Sequence, residues 1–90
     1  MYKILYLPLG EELLIYKEFR HNVIRTLSPD KSDIGLRTPG DRPNDWPISR
    51  FKIAYFGSIS IADRWITELL ERNTDNIYNM RREYFEIIKV

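Results

Sequence analysis

Three groups of side chains in this sequence have types and spacing that chemistry could use. His21 is the sole histidine. Acid–base or nucleophilic work by an imidazole needs a nucleophile or carboxylate placed beside it. Its neighbours Arg20, Asn22 and Arg25 supply neither, so a solvated or hydrogen-bonding histidine is the expected role. A second group, Asp30, Ser32, Gly35 and Asp41, falls on positions one, three, six and twelve of a calcium-loop register. Calcium requires an oxygen at position five and prefers a bidentate Glu at twelve. Ile34 occupies position five, and flanking helices are not evident on both sides. These residues are expected to form turns, not a metal site.

The third group is Arg37, Arg42 and Arg50, with Trp46 among them. Arginine and tryptophan dominate the energetics of protein interfaces, because both present large contact areas with polar ends. They also suit stacking on bases and clamping of phosphates. Asp30, Asp33, Asp41 and Asp45 interleave with them and cancel much of a basic field. Arg37, Arg42, Trp46 and Arg50 are therefore the candidate partner-binding residues, with a protein as the expected partner. Nucleic-acid binding through Arg20, Arg25, Arg37 and Arg42 is the less favoured alternative. Trp46 is either a core anchor or an exposed hot spot, and the anchor is the commoner fate of a lone Trp.

Composition narrows the field. Net charge is +1, and the two parts of the chain, residues 1–50 and 51–90, are each nearly balanced. Non-specific nucleic-acid binders carry a clustered basic excess, because phosphate neutralisation dominates their affinity. No such excess is present overall. The chain has no cysteine, which rules out disulfides, thiol catalysis and thiolate metal sites. Small secreted domains often need such staples, so a reducing cytoplasm is the expected location. The apolar part of MYKILYLPLGEELL is too short and interrupted for a secretory signal or a membrane span. No cofactor is implied.

These residues must be held by a single domain of 90 residues. A chain this short hides only about 60–65% of its unfolded surface, so its stability margin is thin. Apolar residues at 43% and aromatics at 13% still suffice for a core. Tyr2–Leu7 is rich in strand formers, Pro8-Leu9-Gly10-Glu11 is a turn signal, and Leu13–Tyr16 reads as a second strand. Phe19, Val23, Ile24 and Leu27 suit one helical face, with a long strand running past Phe19 as the rival reading. Residues 28–50 hold four of the five prolines and two of the four glycines. That density blocks regular structure and marks a long irregular segment, the usual place for recognition. Phe51–Phe56 is a third strand, with Phe51, Ile53 and Tyr55 sharing a face.

The clearest element is an amphipathic helix over about 59–72. Ala62, Trp65, Ile66, Leu69 and Leu70 form its apolar stripe, which places Trp65 in the core. Ser58 or Ser60 caps it, and Ser60 with Asp63 resembles a capping box. Glu68 and Arg72 are spaced for an i,i+4 ion pair, and Asn73 suits the left-handed C′ position. Arg82–Val90 is the last strand. Apolar residues on both of its faces suggest an interior position. The result is an α+β fold, with a small sheet of about four strands and one principal helix packed on one face.

Three stretches together resemble small proteins of bacteriophages and some bacteria. These are YLPLGEELLIY at Tyr6–Tyr16, the F-x-S-x-x-x-A-x-x-W-I pattern from Phe56 to Ile66, and EYFEIIKV at Glu83–Val90. Those proteins have a YLPTGE-type hairpin, a Ser-capped helix with Ala and Trp-Ile, and a closing EYFEI strand. The resemblance covers some of both ends, and residues 18–50 depart from it. It implies the same α+β fold and a phage origin, and carries over no activity or site residue. The functional expectation is a small non-enzymatic interaction protein, phage-encoded, that binds and modulates a host protein. Besides the nucleic-acid module, a homo-oligomeric structural protein or a ligand-sequestering one stands as an alternative. The oligomeric state is left open.

Overall fold

In a computed structural model, which describes residues 1–19, 22–25, 47–72 and 81–90, the architecture is organised around the first strand. Strand β1 (Tyr2–Tyr6) is central. Along one edge it pairs with β6 (Phe85–Lys89) over its full length, antiparallel, from Tyr2↔Lys89 to Tyr6↔Phe85. Its other edge is shared by two short strands. Strand β2 (Glu11–Glu12) pairs with Leu5 and Tyr6, and β5 (Tyr55–Phe56) pairs with Tyr2 and Lys3. A second, two-stranded sheet joins β3 (Leu14–Tyr16) to β4 (Phe51–Ile53).

Two residues make this division. Leu13 lies between β2 and β3, and Ala54 lies between β4 and β5. The Leu13 N–H donates to the Ile4 carbonyl at 2.9 Å, while the Leu13 carbonyl accepts from the Ala54 N–H at 2.9 Å. In a regular strand the N–H and C=O of one residue bond to the same neighbour or to none. Here they bond to different chains, so the backbone crosses from β1 toward β4 at Leu13. Ile4, Leu13 and Ala54 are all 0% exposed.

The expected hairpin is present. A four-residue loop closes β1 onto β2, with the N–H of Gly10 donating to the Tyr6 carbonyl at 2.9 Å. Gly10 has φ +66°, the left-handed region that glycine enters without steric cost.

Helix α1 (Ile59–Arg72) packs on β1, β5 and β6. Its stripe is buried as the spacing requires: Ala62, Trp65, Ile66 and Leu69 are in the core, with Leu70 against it. They meet Ile4, Tyr6, Ile15, Phe56 and Phe85. Tyr6 stacks edge-on to Tyr84 at 6.5 Å and tilted to Phe85 at 5.2 Å. Ser58 is the cap, its Oγ accepting from the Ile61 N–H at 3.2 Å. Ser60 sits inside the first turn, hydroxyl to hydroxyl with Ser58. Asp63 does not turn back as a capping box. Its carboxylate binds Arg82, whose guanidinium also donates to Thr67, tying the helix to the 3₁₀ turn Arg82–Tyr84.

Several expectations are corrected. The 51–56 strand is split, and its buried face is Phe51 before the break and Ala54 with Phe56 after it. Ile53 and Tyr55 are half-buried on the other side. The last strand starts at Phe85, after the 3₁₀ turn. Among the described residues it pairs only with β1, so it is an edge strand, not an interior one. Neither reading of 18–27 describes Phe19 or Asn22–Arg25: a turn follows Tyr16, and Ile24 makes an isolated parallel bridge to Phe56. Glu68 is 4% exposed and pairs with Arg64 at 2.9 Å. It lies on the inner edge of the helix, and the side chain of Arg72, its expected i,i+4 partner, lies outside the described residues.

The crossover leaves no room for a larger side chain at Ala54. The Ala54→Leu variant is expected to lose about 1–3 kcal/mol through overpacking. Trp65→Ala is expected to lose about 3–5 kcal/mol through the cavity it leaves. Denaturant titration followed by tryptophan fluorescence for the first variant, and by circular dichroism for both, measures each loss.

Candidate functional site

Of the candidate partner-binding residues, Arg37, Arg42 and Trp46 lie outside the described residues, as do Arg20, His21 and the Asp30–Asp41 set. Arg50 is described. It ends the 3₁₀ turn Ile48–Arg50, and its half-exposed guanidinium bonds the Glu18 carboxylate at 3.1 Å. Its carbonyl accepts from the Lys17 N–H at 2.9 Å. A hydrogen bond from Glu18's own backbone N–H, and then the Arg50 guanidinium, hold the Glu18 carboxyl below the usual carboxylate range. Arg50 therefore fastens the start of β4 to the end of β3. Arg25 is exposed, beside the Ile24 bridge.

The face of the sheet away from α1 carries a feature that the sequence reading missed. Met1, Asn22, Lys52, Ile53 and Tyr55 line a concavity of about 340 Å³. The crossover positions it. Because β5 replaces β2 along β1, Tyr55 lies opposite Lys3, and its carbonyl accepts from the Ile24 N–H at 2.7 Å. That bond brings the Asn22–Arg25 segment alongside. Lys52 is oriented from the other end: its Nζ donates to the Phe19 carbonyl at 2.7 Å and lies 5.9 Å from the Phe19 ring centre. Met1 is fixed through its carbonyl, which accepts from the Val90 N–H at 2.9 Å.

The lining mixes apolar surface (Met1, Ile53, Tyr55) with amide, phenol and ammonium groups. That is a composition suited to receiving a side chain of another molecule, in which apolar contact supplies affinity and a few polar groups supply orientation. The signal available in sequence was the pair Ala54 and Phe56. Taking these as the buried face puts Ile53 and Tyr55 outside.

Beside the concavity, Lys3 pairs with Glu12 at 3.1 Å. A hydrogen bond from Glu12's own backbone N–H, then the Lys3 ammonium, lower the Glu12 carboxyl below its usual range. Among the described residues no group of His, Cys, Asp or Glu is placed to hold a metal ion. No helix among them is long and apolar enough to cross a membrane. The chain matches no protein-family model, no curated protein and no solved structure.

Glu12 gives a pH signature. Its carboxyl is more acidic folded than unfolded, so it contributes stability above the unfolded value, and that contribution is lost as pH falls below the unfolded value and through the lowered folded one. The pair is partly solvated, so its worth is about 0.5 kcal/mol. The stability gap between the wild type and Glu12→Gln, measured by urea titration, is expected to be open at neutral pH and closed in acid.

Proposed function

We propose that this chain is a small, non-enzymatic interaction protein that docks a partner protein on the outer face of its sheet. The observation that carries this reading is the concavity framed by Met1, Asn22, Lys52, Ile53 and Tyr55. Tyrosine and methionine are enriched at interfaces, tyrosine because it gives a large contact area at small entropic cost and methionine because its flexible thioether adapts to the partner's surface. The position of the concavity in the chain supports the same reading. The Pro-rich segment holding Arg37, Arg42 and Trp46 precedes Pro47 in sequence, and from Pro47 the chain passes through Ile48–Arg50 directly into β4, which contributes Lys52 and Ile53. Recognition residues on that segment and the concavity thus belong to consecutive stretches of sequence. With the phage origin expected from the likeness of the two end regions, the proposed partner is a protein of the infected host, modulated by being bound.

The test is affinity capture from host extract with the intact chain, followed by binding titration of the captured protein. Tyr55→Ala and Trp46→Ala are each expected to weaken binding at least tenfold, about the effect of removing one hot-spot residue. Tyr55→Ala should leave the chain folded, with the melting curve recording its loss of stability, since its ring is half-buried and outside the core cluster. Binding should change little with moderate salt. A steep loss of affinity with salt, in a complex containing nucleic acid, would reverse the choice in favour of phosphate recognition. Capture of no stoichiometric partner, or binding indifferent to both substitutions, would refute the docking reading.

A further inference from the structure

We draw no further inference here: the strongest candidate, the outer edge of β6, which pairs with nothing among the described residues, carries no proposal because nothing in the structure shows what covers it.

Discussion

The backbone relay from Ile4 to Leu13 to Ala54 is the constraint on which the rest of the structure depends. Two hydrogen bonds of 2.9 Å, buried without exposure, pass through three chain segments at one point. A buried backbone group left unpaired costs about as much as a lost hydrogen bond, or more. The strands therefore cannot slide past one another at this point without losing both bonds. Residues on either side are placed by counting from it. Leu5 and Tyr6 remain with β2, Tyr2 and Lys3 pass to β5, and the 11–16 segment departs to meet β4.

From this division comes the difference between the two faces. One face receives α1, whose stripe from Ala62 to Leu69 fills the space over Ile4, Tyr6, Phe56 and Phe85. The other face is left with residues that are half-buried instead of packed, among them Lys3, Ile53, Tyr55 and Ile88. A sheet covered by one helix on one face keeps its second face for water or for a partner. At Leu13 and Ala54 the backbone passes between the two sheets, and the concavity lies where residues of β4 and β5 meet Met1 and Asn22.

What the sequence made legible follows the strength of its periodic signals. Helix α1 was readable because five apolar residues repeat at helical spacing behind a serine cap, and nothing in the tertiary structure opposes that pattern. The hairpin was readable because Gly10 is needed where φ is positive. The strand at 51–56 was misread in phase. Phe51, Ile53 and Tyr55 are the larger residues at alternate positions, and size suggested that they share the core face. Ala54 decides otherwise, since the crossover requires a small residue and a small residue gives a weak hydrophobic signal. The Asp63 carboxylate was misplaced for a similar reason: its partner Arg82 is nineteen positions away, beyond any local rule. The concavity was invisible because its five lining residues come from three separate stretches of chain.

The same logic bears on how much the candidate residues can be asked to do. Arg50 looked in sequence like a member of an arginine cluster free to meet a partner. In the fold its guanidinium is engaged with Glu18 and its carbonyl with Lys17. A residue held at both ends of its structure contributes to binding mainly through what it positions. Arg50 holds the start of β4 against Lys17 and Glu18, so its influence reaches the concavity through Lys52 and Ile53 even if its own charge never touches a partner. The outer face of this sheet is thus governed from two points of the backbone, the buried crossover at Leu13 and Ala54 and the solvent-side fastening at Arg50, and the half-buried residues strung between them are the ones the proposed docking would use.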